Sequence, residues 1–169
     1  MEEIITYVEM TDVAELRPGR PVAEVTLEWA PPGSPHIVPA HVRVGEPYEW
    51  RSALRSPEEW AGQLADPRRR FWLVKHGDDI AGIVHLRVGD GGDVEIDSFG
   101  LVPEYVGKGI GGHALTLAVR QAWAATGPYG EPTRRVWLHT STRDHPNALA
   151  NYERRGFRPF YSRARELPG

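Results

Sequence analysis

The sequence predicts a mixed α/β domain, and three observations support this fold class. Short apolar runs that end at glycine, proline or aspartate alternate along the chain with amphipathic helical patterns. A glycine-rich loop at residues 107–112 joins an apolar strand to a long helical pattern. The 169 residues suffice for one domain that buries about 70% of its unfolded surface. We therefore expect residues 1–169 to form a single domain.

The first part of the chain predicts a strand, a proline-rich segment, a helix and a hairpin. Residues 4–8 fit a strand, and residues 12–16 fit a short helical turn. Seven prolines fall within residues 17–50, so we expect no regular helix there. A helix is predicted to begin after Ser56, its N-cap, and to end before Pro67. The hairpin consists of strands 71–74 and 80–88 around the turn Gly77-Asp78-Asp79.

The second part of the chain predicts a strand, a helix, a strand, a helix and a strand. A glycine-rich turn at residues 89–92 leads into a strand at residues 94–101. A helix is predicted over residues 110–126, where apolar residues recur at helical spacing. Pro146 fits the first position of the next helix, and Gly156 fits the glycine that ends it. The remaining strands are predicted at residues 136–140 and 157–163.

Composition and charge exclude several classes of protein. The net charge is −3 and basic residues are mixed with acidic ones, which argues against a nucleic-acid partner. No apolar run approaches the roughly 18 residues of a membrane helix, and the N-terminus does not resemble a signal peptide. The chain has no cysteine, so it has no disulfide, zinc–thiolate site or thiol nucleophile, and its histidines lack metal-ligand spacing. We expect a cytoplasmic protein without a metal, either a monomer or a homodimer.

The glycine-rich loop carries the strongest functional signal in the sequence. Four glycines fall within residues 107–112, and their lack of side chains lets a ligand approach the backbone closely. The helix that follows directs its unpaired N–H groups and the positive end of its dipole at the same place. This pattern predicts a site for a phosphate or pyrophosphate group.

Two common nucleotide-binding motifs fit this loop poorly. Residues 107–112 match G-x-G-x-x-G, but three extra residues lengthen the turn. The strand after the helix ends at His139-Thr140-Ser141 and lacks the carboxylate that would bind a ribose. A P-loop requires a serine or threonine after its lysine, whereas Lys108 is followed by Gly109. Both folds are disfavoured, and so is a glycine-rich turn without a ligand.

Two segments resemble the signature motifs of the GNAT superfamily of acyl-CoA-dependent N-acyltransferases. Residues 101–111, Leu-Val-Pro-Glu-Tyr-Val-Gly-Lys-Gly-Ile-Gly, resemble its acyl-CoA-binding motif. Residues 148–157 resemble its second motif, A-x-x-x-Y-x-x-x-G-F. The resemblance covers about residues 71–161 and implies a mixed, mostly antiparallel central sheet flanked by helices. It also implies acetyl-CoA as the co-substrate.

The resemblance implies that backbone N–H groups of the loop bind the pyrophosphate of coenzyme A, and that the pantetheine arm pairs with the preceding strand. The chain departs from the family pattern at Val106, where Arg or Gln is usual, and at His145, where Asn is common. We expect the change at Val106 to weaken CoA binding modestly. The implied cofactor-binding residues are Leu101, Val102, Val106, Gly107, Lys108, Gly109, Ile110, Gly111 and Gly112.

Acyl transfer from a thioester to an amine needs a base for the amine, donors for the oxyanion and an acid for the leaving thiolate. Glu95 and Asp97 share one face of their predicted strand, so either carboxylate could accept the amine proton through a water. The family pattern favours Glu95. The resemblance also implies Tyr152 as the acid and the backbone N–H near Leu101 as the donor to the thioester carbonyl.

No motif identifies the acceptor. We expect Tyr48 and Trp50 to wall its pocket with Phe99 opposite, while Trp60 either joins this wall or is buried in the core. His139 either lines the pocket, acts as a base or is a buried core histidine. The predicted function is acetyl transfer from acetyl-CoA to a primary amine of a small molecule by direct attack. Acetylation of a peptide or protein amine and a catalytically inactive CoA-binding module remain the alternatives.

Overall fold

The structure, a computed structural model, describes residues 1–168 and is built around one seven-stranded sheet. Its strands are β1 (Glu2–Met10), β2 (Val25–Ala30), β3 (Arg69–His76), β4 (Asp79–Val88), β5 (Asp93–Leu101), β6 (Arg135–Ser141) and β7 (Arg158–Glu166). Their order across the sheet is β2-β3-β4-β5-β6-β1-β7. The helices are α1 (Ile37–Gly45), α2 (Pro57–Ala65), α3 (Gly111–Ala124) and α4 (Ala148–Arg154). The predicted mixed α/β class with a mostly antiparallel sheet is confirmed.

The central feature of the sheet is the junction of β5 and β6, which run parallel, whereas the other neighbouring strands are antiparallel. These two strands pair over three residues each, the last pair being Glu95 and Trp137. A bulge in β5 places Asp97 between the residues that pair with Leu86 and His85 of β4. A bulge bends its strand, and beyond it β5 diverges from β6. A wedge-shaped gap therefore opens within the sheet.

Two hydrophobic cores cover the two faces of the sheet and leave this gap uncovered. On one face, α3 packs its buried side chains, such as Leu115 and Val119, against Val8 and Leu86 of the sheet. On the other face, Val44 of α1 and Trp60 of α2 pack against Phe71 and Ile83 among others. Burial of this apolar surface stabilises both layers.

The local signals in the sequence predicted several elements correctly. Helix α2 begins with a capping box, in which the Ser56 hydroxyl accepts from the Glu59 N–H at 3.1 Å and the Glu59 carboxylate accepts from the Ser56 N–H at 3.0 Å. The predicted hairpin is formed by β3 and β4. Gly156 follows α4 with a φ of +108°, as expected of the glycine that ends a helix.

Two expectations about helices were wrong. Helix α1 lies inside the proline-rich segment, with Pro39 as its third residue. The N–H groups of the first turn have no partner within the helix, so proline is tolerated there. The helix predicted to open at Pro146 instead begins at Ala148, after Asn147. Within residues 1–168, no helix has both the length and the apolar character needed to cross a membrane.

Candidate active site

A cavity of about 790 Å³ occupies the gap between β5 and β6. One end is formed by the glycine-rich loop and the start of α3, and the other end lies under the segment that follows α1. The predicted site residues that line the cavity are Tyr48, Trp50, Asp97, Phe99, Leu101, Val106, Gly107, Gly109, Gly111, Gly112, His139 and Tyr152. The fold therefore brings together residues that are about 100 positions apart in the sequence.

The glycine-rich loop presents its backbone to the cavity. Gly107 and Gly109 have φ values of +76° and +78°, and no atom lies within 4 Å of the place where a Cβ would stand on either residue. Ile110, the N-cap residue of α3, makes no capping hydrogen bond with its side chain. Unpaired N–H groups at the start of a 14-residue helix are suited to an anion. The loop thus fits the pyrophosphate of coenzyme A.

Three residues predicted to bind the cofactor lie outside the cavity lining. Val102 and Ile110 are buried in the two cores, and Lys108 is exposed to solvent. The Val102 N–H already donates to the Ala81 carbonyl at 2.8 Å, so it cannot pair with a pantetheine arm. Backbone groups of successive strand residues point to opposite edges, which leaves the N–H of Leu101 facing the gap.

Tyr152 lines the cavity from α4. Its side chain is buried, and its ring centroid lies 6.5 Å from that of Phe99 and 6.1 Å from that of Phe157. Burial raises the pKa of Tyr152, and the nearby Asp144 raises it further. The phenol is therefore protonated at neutral pH. Its hydroxyl makes no hydrogen bond with another residue among residues 1–168 and is available to a ligand.

The two candidate carboxylates have different environments. Glu95 is 9% exposed and lies in the last register pair of β5 and β6, just below the gap and outside the cavity lining. Burial, and secondarily the charge of Asp97, raise the pKa of Glu95 to about 7. Asp97 lines the cavity, but Nη1 of Arg69 lies 3.1 Å from its carboxylate. Glu95 therefore does not line the cavity, whereas Asp97 lines it and is held by an ion pair.

At the far end of the cavity, the segment after α1 contacts the loop before α4. The Trp50 indole donates to Asp144 at 3.0 Å, and Arg143 forms an ion pair with Glu49. The ring of Tyr48 lies 6.3 Å from that of His145. These contacts bridge the two sides of the gap and narrow this end.

His139 is not the buried core histidine that was one of the expectations. It lies in the gap on β6, with its side chain exposed and its ring 5.4 Å from that of Tyr7. Desolvation by neighbouring protein atoms lowers the pKa of His139, whereas the charges of Asp97 and Asp144 raise it. At neutral pH this favours the uncharged ring beside the cavity.

Sequence reasoning missed a hydrogen-bonded chain of side chains beside the cavity. Ser52 lines the cavity, and its Oγ lies 2.7 Å from Nε2 of His41. Nδ1 of His41 lies 3.3 Å from Nδ1 of His85, and the two rings are stacked. Both histidines are buried. They are 44 residues apart on different elements, so no local pattern could reveal the pair.

Comparison with known proteins identifies the family. The model of the acetyltransferase (GNAT) family matches residues 35–157. The chain belongs to the GNAT family. An uncharacterized N-acetyltransferase of Mycobacterium bovis is 31% identical over 151 residues, which cover 88% of this chain and 85% of that protein. A Mycobacterium tuberculosis protein described in the same words matches equally.

Solved structures of GNAT proteins share this fold. A GCN5-related N-acetyltransferase from Kribbella flavida superposes with a TM-score of 0.65 at 18% identity, over 95% of this chain and 56% of that chain. A tandem GNAT protein from the clavulanic acid biosynthesis pathway superposes with a TM-score of 0.60 at 18% identity, over 93% of this chain and 50% of that chain. The chain thus spans about half the length of these two proteins. In residues 1–168, no group of three or more His, Asp or Glu side chains could hold a metal ion.

Proposed function

We propose that this protein transfers an acetyl group from acetyl-CoA to a primary amine of a small molecule. The observation that carries this proposal is one cavity whose lining joins the glycine-rich loop to Tyr152 and Asp97. The loop would hold the pyrophosphate through backbone N–H groups of residues 107–112. The thioester would then lie along β5, near the N–H of Leu101.

The residues around the thioester suit direct attack. The amine nitrogen attacks the carbonyl carbon, and the N–H of Leu101 stabilises the oxyanion that forms. Glu95 accepts the amine proton through a water, since a pKa of about 7 suits a base that works near neutral pH. As the carbon–sulfur bond breaks, Tyr152 donates its proton to the leaving thiolate. Asp97 is the alternative base, although its ion pair with Arg69 opposes that role.

The narrowed end of the cavity supports a small acceptor. The Trp50–Asp144 hydrogen bond and the Arg143–Glu49 ion pair join the segment after α1 to the loop before α4, which leaves less room for a peptide chain. Tyr48 and His139 border the remaining space. Aromatic rings beside a few polar groups suit a small organic amine.

A panel of primary amines, assayed with acetyl-CoA by thiol release, tests the proposed activity. We expect amine-dependent release of CoA by the wild-type protein, with kcat/KM rising through about pH 7 as Glu95 loses its proton. In Glu95→Gln, turnover near pH 7 should fall about 100-fold. The rise in kcat/KM near pH 7 should also disappear, so that only the rise caused by deprotonation of the acceptor amine remains. Glu153→Gln, an exposed change on α4, serves as the matched control.

Two results would count against this assignment. Absence of amine-dependent release across the whole panel would contradict the activity itself. Retention of the rise near pH 7 in Glu95→Gln would remove Glu95 as the base, and Asp97→Asn would then be the variant to measure.

A further inference from the structure

Arg155 lies beside the glycine-rich loop, although the two are far apart in the sequence. It follows α4 directly, and it lines the cavity. A Cβ placed on Gly112 or on Gly19 would overlap Nη1 of Arg155. The guanidinium therefore occupies space that these two glycines leave open, next to the first turn of α3.

The guanidinium of Arg155 has no acceptor in the part of the chain that the structure describes. Its Nε is buried without a hydrogen-bond partner, and within residues 1–168 its side chain makes neither a hydrogen bond nor an ion pair. Burying a cationic donor without an acceptor costs free energy. The five N–H donors of a guanidinium match the oxygens of a phosphate group. The position of Arg155 therefore indicates an anionic ligand in the cavity.

The loop itself supplies no cationic side chain to this place. Val106 lines the cavity but is uncharged, and Lys108 is exposed and outside the lining. The remaining lining residues of the loop are glycines. A pyrophosphate bound there would meet backbone N–H groups and the helix dipole, with the half-buried Arg155 as an adjacent cation in the lining.

We infer that Arg155 binds the pyrophosphate of acetyl-CoA and provides the cationic contact that Val106 and Lys108 do not. This inference rests on the proposed function, because it takes acetyl-CoA as the ligand. Arg155 would then help to select the acetyl donor, because a thioester without a pyrophosphate cannot bind the Arg155 guanidinium. Arg155 touches the ligand far from the reacting carbonyl, so it acts on affinity for the donor and not on the chemical step.

Titration calorimetry with CoA, dephospho-CoA and pantetheine tests this inference. We expect Arg155→Met to weaken CoA and dephospho-CoA about 10- to 100-fold, as expected for loss of a charged hydrogen bond. Pantetheine lacks the pyrophosphate, so its affinity should be the same for the variant and the wild type. Arg120→Met, at an exposed arginine of α3 outside the cavity lining, is the matched control and should bind all three ligands within about twofold of wild type.

Each other outcome has a defined meaning. If Arg155→Met binds CoA as tightly as wild type, or loses pantetheine affinity to the same extent as CoA affinity, the inference is overturned. Loss of CoA affinity with unchanged dephospho-CoA affinity would assign Arg155 to the 3′-phosphate and also overturn it. Failure of the wild-type protein to bind CoA at all would instead overturn the proposed function. Arg155→Gln, which keeps a polar end, replaces Arg155→Met if the latter does not fold.

Discussion

Tyr152→Phe is expected to lower turnover about 10- to 100-fold while leaving the affinity for CoA nearly unchanged. The substitution removes one hydroxyl and keeps the ring that packs against Phe99 and Phe157. Because burial holds the pKa of Tyr152 well above its usual range, this phenol is a proton donor throughout the working pH range. Without it, the thiolate must leave unprotonated. Steady-state kinetics with the best amine of the panel, together with calorimetry for CoA, measure the two effects separately.

The pH dependence distinguishes this acid from the proposed base. Raising the pH should partly restore Glu95→Gln, because more of the amine is then uncharged, but it should leave Tyr152→Phe impaired. Tyr129→Phe, at an exposed tyrosine, is the control for loss of a phenol hydroxyl. Full activity of Tyr152→Phe across the pH range would show that protonation of the thiolate does not depend on this residue.

The second large expected effect concerns stability in acid. The free energy of unfolding should fall as the pH drops from 6.5 toward 4, because His41 and His85 are buried as neutral rings. Burial, and then the charge of Arg55, lower the pKa of His41 to about 4 from an ordinary 6.5. Burial also lowers the pKa of His85, as do His41, Arg55 and Arg69. Below pH 6.5 these histidines bind protons in the unfolded chain but stay neutral in the folded chain. Their contribution to the free energy of unfolding is therefore complete above pH 6.5 and is lost as the pH falls below it.

The size of this loss in stability can be measured by comparison with a variant that lacks both His41 and His85. His41 alone should contribute about 3 kcal/mol between pH 6.5 and pH 4, since one pKa unit corresponds to about 1.4 kcal/mol. Urea unfolding at several pH values should show a flatter dependence in His41→Leu/His85→Leu than in wild type. His36→Asn, at an exposed histidine, should leave the dependence unchanged. Equal slopes in the double variant and the wild type would contradict the buried neutral pair.

The parts of this molecule that the sequence predicts are those set by neighbouring residues. The Ser56 capping box, the hairpin of β3 and β4 and the strand–loop–helix unit around residues 107–112 each depend on a few consecutive side chains. Helix α1 was missed because proline was taken as a helix breaker, although Pro39 occupies the first turn, where it is tolerated.

The parts that escaped prediction depend on contacts between distant elements. The approach of His41 to His85 needs α1 packed on β4, and the approach of Arg155 to Gly112 needs α4 packed beside α3. The pairing of Asp97 with Arg69 depends on a bulge in β5 and on the registers that the intervening strand β4 makes with β3 and with β5. No spacing along the chain encodes these distances, because they are set by sheet order and side-chain packing.

The most direct test of the central claim is the melting temperature of the wild-type protein and of Gly111→Val, with and without acetyl-CoA. Gly111 is the first residue of α3, and a Cβ there would meet only ordinary contacts, the nearest at 3.9 Å, so the variant should fold. Its extra methyl groups would project at the proposed pyrophosphate position. Gly62→Val, in α2 and away from the cavity, is the matched control.

We expect acetyl-CoA at about 100 times its Kd to raise the melting temperature of wild type and Gly62→Val by about 5–10 °C. NAD, NADP and ATP should have much smaller effects, and Gly111→Val should melt like the ligand-free protein with or without acetyl-CoA. An equal shift with NAD in the wild type, or a full acetyl-CoA shift in Gly111→Val, would contradict the placement of acetyl-CoA on this loop.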